Sequence, residues 1–359
     1  MKGNILIVGG YGSVGRVIST ALGDRFPGQV VVAGRNYQKA QDFSSETNNK
    51  VVPAKLDISS MDEVGSSLDD NVALVVMCVE DQDTRVVEQC IDRGIKYVAL
   101  SATYELLSRI ESLDGKAQEH GSTVLLSVGL APGLTNLLAS HCTTVLDEVH
   151  NVDIFLLLGM GEVHGESSIQ WVVDNLNSEY HVRQSGVEKQ VQAFGEYKLT
   201  VFPVSIGKRA AFRFNFSDQH TIVKTLGIDS ASHWRCFDSA FFTWFFYAEK
   251  KLGLLNLLRI PAVKRMYLKM LGSIHMGSDL FIAQVVADGT ANGKTTSYTC
   301  SVSGHGEGRI TALVAAEVAE HLYTSTTPPG VFHIDQIFDR PREFIEGFSK
   351  RMTSLEYRF

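Results

Sequence analysis

The chain has 359 residues, 44% of them hydrophobic and 20% charged, a globular composition with more length than one core usually serves, so two domains are expected. A net charge of −7 provides no basic face to neutralise phosphates and excludes nucleic-acid binding as the first reading. Five scattered cysteines, Cys78, Cys90, Cys142, Cys236 and Cys300, fit reduced thiols in a cytoplasmic protein and offer neither a disulfide framework nor a metal site.

Met1 to Asn4 runs straight into the apolar Ile5-Leu6-Ile7-Val8, so no signal peptide is expected. This short run predicts a strand buried on both faces. Gly10-Tyr11-Gly12-Ser13-Val14-Gly15 follows, then helical spacing over Val17 to Leu22. Strand, glycine turn and helix in that order are the context a dinucleotide fingerprint requires. Gly10 is expected to permit the tight turn, Gly12 to let backbone approach a pyrophosphate, and Gly15 to let helix pack close to strand. The helix N-terminus then presents free N–H groups to the phosphates. A glycine turn with no ligand is the plainer alternative.

A second strand, Gln29 to Ala33, runs into Gly34-Arg35-Asn36. An NAD site usually carries an acid here to bond the ribose 2′-hydroxyl. Arg35 suits a 2′-phosphate instead, so the expected cofactor is NADP(H); a solvated surface arginine is the alternative. Val51 to Lys55 is a third strand. Asp57 after it is expected near the adenine end, or as the cap of a helix from Ser60 to Leu68. Val72 to Val79 is a fourth strand, and its end at Cys78 and Val79 belongs at the crevice where open parallel sheets bind ligands. A helix (Thr84 to Arg93) and strands Lys96 to Leu100 and Val124 to Val128 complete a parallel α/β sheet of Rossmann type.

Beyond it, Val152 to Leu158 is apolar enough for a buried strand, with a helix over Ile169 to Leu176. Strands follow at Lys198 to Val204 and Ala210 to Phe216. A helical insert covers Asp238 to Leu271. Ser278 to Ala287 and Thr295 to Ser303 flank Asn292-Gly293, a hairpin signal. The aromatic run Ala240 to Tyr247 is too short to span a membrane; core, dimer face and pocket lining are all open to it. A helix from Arg309 to Tyr323 leads back toward the first domain.

The strand ending in Gly129-Leu130-Ala131-Pro132-Gly133-Leu134-Thr135-Asn136, the stretch Val86 to Val98, and the finish Gly304 to Arg309 with Pro328-Pro329-Gly330-Val331-Phe332 together resemble the saccharopine dehydrogenase-like family of reductases. Ala99 stands where that family often carries an acid after Tyr-Val. The resemblance implies a nicotinamide enzyme, a homodimer, and a middle region that binds substrate and dimerises. The expected division is 1–147 for the dinucleotide domain, 148–307 for a mixed α+β substrate and dimerisation domain, and 308–359 for a C-terminal return onto the first. Ala131, Pro132 and Gly133 are expected to wall the cofactor crevice.

Hydride chemistry needs one group to handle a proton. The leading candidate is His164, with Glu166 beside it, in a loop where the family places substrate contacts. A histidine titrates near neutrality; a surface-loop histidine is the alternative. Glu80 and Asp81 are further candidates, or helix caps. Lys208, Arg209 and Arg213 suit a substrate carboxylate, or a solvated strand face. His141 reads as structural, and His305 lies in a glycine-rich link. The expectation is an NADP(H)-dependent oxidoreductase moving hydride to or from the imine or amine carbon of an amino-acid-derived small molecule. Two readings stay open: an enoyl or keto reductase of an apolar, lipid-like substrate, and a non-catalytic NADP(H) sensor.

Overall fold

The protein is described by a computed structural model over residues 3–81, 83–163, 165–203, 206–273, 276–351 and 355–359. Contacts divide it into two units, Met1–Gly133 with Gly308–Ile337, and Leu134–Glu307 with Phe338–Phe359.

In the first unit, strands alternate with helices: β1 (Asn4–Val8), α1 (Ser13–Arg25), β2 (Val30–Gly34), α2 (Tyr37–Glu46), β3 (Val51–Lys55), α3 (Met61–Ser67), β4 (Val72–Met77), α4 (Arg85–Asp92), β5 (Lys96–Ala99), α5 (Tyr104–Glu111), α6 (Asp114–Glu119) and β6 (Thr123–Leu126). The core strands are apolar throughout; Ile5, Ile7, Leu74, Val75 and Val76 have no exposed surface. Burial on both faces is what a parallel sheet covered by helices demands. Caps set the helix starts: the Asn36 side chain accepts from Lys39 N–H at 3.1 Å, and Ser60 accepts from Glu63 N–H at 3.3 Å.

The second unit begins with α7 (Thr135–Val145). It continues through β7 (Glu148–Leu158), α8 (Glu166–Asn175), a hairpin of β8 (Glu179–Gln184) and β9 (Val187–Gln192), then β10 (Tyr197–Phe202), β11 (Gly207–Arg213), α9 (Asp218–Thr225) and β12 (Ser230–Phe237). The helical insert is α10 (Ala240–Lys251), a 3-10 segment (Leu254–Arg259) and α11 (Pro261–Ser273). A long hairpin, β13 (Leu280–Ala291) and β14 (Lys294–His305), turns at Asn292-Gly293 as expected.

The chain then returns to the first unit through α12 (Glu307–Thr324), β15 (Gly330–His333) and α13 (Ile334–Ile337). β15 pairs in parallel with β6, completing the order β15-β6-β5-β4-β1-β2-β3. A buried chain fixes that edge: Ser127 Oγ lies 2.8 Å from His333 Nδ1, and His333 Nε2 lies 3.1 Å from Glu111. Ser127 is fully buried, so the trio holds strands together and offers no nucleophile to a substrate. The last segments, α14 (Pro341–Arg351) and β16 (Glu356–Arg358), do not stay with this unit. This corrects the expectation that 308–359 packs as one piece on the first domain. β16 pairs with β14, which draws the tail to the second unit.

The second sheet, β10-β11-β12-β7-β13-β14-β16, is mixed, with β12 and β7 parallel. It curls strongly. Thr200 on β10 and Gln284 on β13 are four strand spacings apart, roughly 19 Å in a flat sheet, yet the Gln284 amide donates to the Thr200 hydroxyl at 3.0 Å. The concave face holds Phe155, Leu157, Phe202, Trp234 and Ile282, all buried. Asp153 closes this interior, accepting from the Trp234 indole N–H at 2.7 Å and from the Lys198 ammonium at 2.6 Å. Asp153→Ala strands a buried indole donor and is expected to cost about 2–3 kcal/mol in urea unfolding. Lys198→Ala removes only a half-exposed partner and should cost about 0–1 kcal/mol. Equal effects of the two would contradict the assignment of Asp153 as the closing contact.

Candidate active site

The nucleotide end is built by contacts that only glycine allows. Gly9, not Gly10, carries the left-handed conformation, with φ at 78°; this corrects the expected role of Gly10 in the turn. Gly10 must be small for a different reason: a Cβ there would stand 2.9 Å from Val32 Cγ1. At Gly15 a Cβ would stand 2.2 Å from the Gly9 carbonyl oxygen, so helix α1 crosses the strand end with backbone against backbone. Gly12 is the N-cap of α1, and the nearest atom to a Cβ there is the Gly9 oxygen at 3.2 Å. Ser13 and Val14 form the first helical turn, which contains no acid. Free N–H groups and the positive end of the helix dipole therefore face the strand ends with no competing carboxylate on that turn.

Neighbouring strand ends join the loop. The Val79 side chain lies against Gly9, where a Cβ would come within 2.6 Å of it, and Cys78 N–H donates to the Val8 carbonyl at 3.0 Å. Burial pushes the Cys78 thiol up to about 12, so it is neutral and unreactive. Tyr11 reaches across to the second strand. Its hydroxyl accepts from Asn36 N–H at 3.0 Å, and its ring sits over Gly34 so closely that a Cβ there would be 2.5 Å from the hydroxyl oxygen. Tyr11 thus ties the glycine loop to the segment holding Arg35.

Arg35 is exposed and in no ion pair among the described residues. It is close enough to Asp57 to lower that carboxyl's pKa, after two larger contributions from hydrogen bonds by Ser59. Asp57 does not cap the following helix; Ser60 does, and Asp57 instead accepts from the Ser59 N–H and hydroxyl at 3.0 and 2.8 Å. No acid stands at the end of β2, and the open cation at Arg35 suits a phosphate monoester. The residues fit a dinucleotide carrying a 2′-phosphate.

The turn Ala131-Pro132-Gly133, with a cis Ala131–Pro132 bond, follows β6. β6 stands three strands from β1 in the sheet order. Glu80 follows β4. It caps no helix and pairs with no cation among the described residues: its carboxyl accepts from the Thr103 and Ser101 hydroxyls at 2.7 and 3.1 Å. The residue itself is exposed, but its carboxylate is largely desolvated, and that raises its pKa despite both hydrogen bonds. Asp81 accepts from Asp83 N–H at 3.4 Å, and Thr84 occupies the N-cap of α4.

Among the other candidates, His164 lies outside the described residues. Glu166 is the first residue of α8 and is exposed. The basic trio is not one site. Arg213 is buried, donates to Glu196 at 2.6 Å and to Ser232 at 3.1 Å, and stacks over Trp234. Lys208 alternates to the opposite face of β11 from Arg209 and Arg213. His141 is a core residue, 4% exposed, against Phe359. His305 ends β14 and contacts Asp279 at 2.6 Å.

The residue missed in the sequence is Arg235, on β12. It is 6% exposed, and its Nε has no hydrogen-bond partner among the described residues. The guanidinium carbon lies 5.0 and 4.9 Å from the Phe214 and Phe237 ring centres. Burial lowers its pKa to about 10, against an opposing pull from Glu307. No clear signal for it stood in the sequence, because Ser230, Ser232 and His233 make the run Ser230 to Phe237 polar as well. A buried cation in no ion pair among the described residues is costly.

Residues 5–125 match the family model described as the saccharopine dehydrogenase NADP binding domain. Over 99% of this chain and 100% of the other, the fold matches apo saccharopine dehydrogenase (L-Glu forming) from Saccharomyces cerevisiae, at 15% identity and a TM-score of 0.69. Weaker likenesses include the DAP dehydrogenase of C. glutamicum (12% identity, 95% of each chain, TM-score 0.44) and an engineered D-amino acid dehydrogenase (11% identity, 95% and 96%, TM-score 0.46). Residues 5–125 thus carry the pattern of the saccharopine dehydrogenase NADP binding domain, and the chain shares the fold of saccharopine dehydrogenase along its length.

Proposed function

We propose that the protein moves a hydride between NADP(H) and the imine or amine carbon of an amino-acid-derived substrate, with Arg235 holding the substrate's carboxylate. Arg235 is the observation that carries the amino-acid part: a buried guanidinium with an unsatisfied donor is a ready partner for a planar carboxylate. When bound, NADP(H) supplies or accepts the hydride. The chain's own tasks are to hold the pyrophosphate on the first turn of α1, the 2′-phosphate on Arg35, and the carboxylate on Arg235. Val79, against Gly9, packs the cofactor end of β4.

The proton is assigned to one of two groups. His164, supported by Glu166, suits it by its neutral titration. Glu80 suits it by its raised pKa and its two hydroxyl partners at the carboxyl end of the nucleotide-domain sheet. As an acid, Glu80 is competent below its raised pKa and loses its proton as pH rises through it. The five free thiols accord with a cytoplasmic enzyme. A homodimer remains part of the proposal.

Arg35→Ala is expected to weaken NADPH binding about 10- to 100-fold and leave NADH binding unchanged, as read by fluorescence titration. Equal losses for both cofactors would remove Arg35 from the 2′-phosphate. Steady-state kinetics on an amino-acid panel test the rest. Arg235→Met is expected to raise KM about 10²-fold while the unfolding midpoint holds or rises, because a desolvated charge is gone. A lower midpoint with unchanged KM would make Arg235 structural. In the same assays, His164→Ala or Glu80→Gln should lower kcat about 10²- to 10⁴-fold. Unchanged kcat in both would clear the two residues of proton transfer.

A further inference from the structure

The helical insert of the second unit is built the wrong way round for a solvent-facing surface. On α10 the exposed positions are Ala240, Phe241, Trp244, Phe245, Ala248 and Lys251 with Leu252 just beyond, while Thr243 and Phe246 point inward. Spacing of three and four residues places Phe241, Trp244, Phe245 and Ala248 on one outward stripe. A surface helix ordinarily turns polar side chains that way. Phe241 is 70% exposed, and Leu252, just past the helix, is 74% exposed.

The neighbouring elements also expose apolar side chains. Leu254, Leu257 and Ile260 are exposed around the 3-10 segment, as are Met266 and Met270 on α11. The Tyr267 hydroxyl donates to Glu249 at 2.6 Å, tying α11 to α10. The Tyr197 ring lies 5.7 Å from Trp244, and Leu199 and Val201 follow it on the outer face of β10, both exposed. Exposed apolar side chains on four consecutive or adjoining elements are the kind of surface that marks interaction sites.

Charge identifies the occupant. α10, the 3-10 segment and α11 carry six basic residues (Lys250, Lys251, Arg259, Lys264, Arg265, Lys269) and one acid, Glu249, in a chain whose net charge is −7. Lys264 pairs with Asp174 and Lys250 with Asn177. Lys251, Arg259, Arg265 and Lys269 are exposed and in no ion pair among the described residues. A two-fold contact between copies of this chain would place the same patch on both sides and set these cations against one another. A surface that is apolar within and anionic at its boundary complements both features. Exposed Phe, Trp and Leu flanked by Lys and Arg are the composition of helices that lie in a bilayer interface. No helix among the described residues is long and apolar enough to cross a membrane.

We propose that the segment Ala240–Ser273 docks the protein on an anionic phospholipid bilayer, with its aromatic stripe in the headgroup layer and its lysines and arginines on the lipid phosphates. This inference does not depend on the substrate proposed above.

The test is flotation of the full chain with phosphatidylcholine vesicles, with and without phosphatidylserine. The expected result is co-flotation with the phosphatidylserine vesicles, lost as salt screens charges beyond roughly 10 Å. Phe241→Ser with Phe245→Ser should weaken partitioning roughly ten-fold or more, and Arg265→Glu or Lys269→Glu roughly five-fold or more, with circular dichroism unchanged. Vesicles should also shift Trp fluorescence to the blue, and Trp244→Phe should remove the shift while Trp171 and Trp234 remain. Three results would each overturn the proposal: no flotation with phosphatidylserine, equal flotation on neutral vesicles, or a dimer that the Phe241 and Phe245 substitutions dissociate without any vesicle binding.

Discussion

The nucleotide-binding unit depends on one steric constraint, the meeting of two backbones at Gly9 and Gly15. A side chain on Gly15 would put its first carbon 2.2 Å from the Gly9 carbonyl oxygen, so only glycine allows α1 to begin where it does. Because α1 begins there, its first turn lies directly over the end of β1, at the point where the strand order reverses between β1 and β4. That reversal opens the crevice in which a parallel sheet binds ligands. Tyr11 then carries the constraint outward, since its ring rests on Gly34 and its hydroxyl holds Asn36. The exposed cation Arg35 is therefore presented by a braced loop.

The second unit solves a different problem. Its sheet curls until β10 and β13 share a hydrogen bond, burying a tryptophan and two polar clusters on the concave side. Most buried polar groups there are matched: Asp153 by Trp234 and Lys198, Arg213 by Glu196 and Ser232. Arg235 breaks the pattern, because aromatic rings are its close neighbours and its Nε is unsatisfied. A buried guanidinium held mainly by aromatic faces is costly to keep. The outward stripe on α10 is a similar exception at the surface.

How far the sequence could be read follows from these forces. The run Ile5 to Val8, the glycine loop and the Asn292-Gly293 hairpin were legible because local pattern and tertiary role agree. β12 was not, since Ser232, His233 and Arg235 interrupt its apolar run although every one of its residues is buried. Some of its polar groups find partners distant in sequence, as when Asp218 takes the His233 Nδ1 at 2.8 Å. The β8–β9 hairpin was missed because its strands are mostly exposed and polar. The turn at Gly9 was misplaced by one residue because the motif shows where glycines stand, not which of them has positive φ. The tail after residue 337 followed a strand pairing with β14 that nothing local announces. Lys208, Arg209 and Arg213 could be read as a carboxylate site or a solvated strand face, but Arg213 is buried and already pairs with Glu196.

The account's central claim is that the glycine loop and Arg35 form one NADP(H) site. A crystal structure of the chain grown with NADPH tests it most directly. The expected result is a pyrophosphate on the backbone N–H groups of Ser13 and Val14 and a 2′-phosphate on the Arg35 guanidinium. A dinucleotide bound with its 2′-phosphate away from Arg35, or its pyrophosphate away from the first turn of α1, would contradict it.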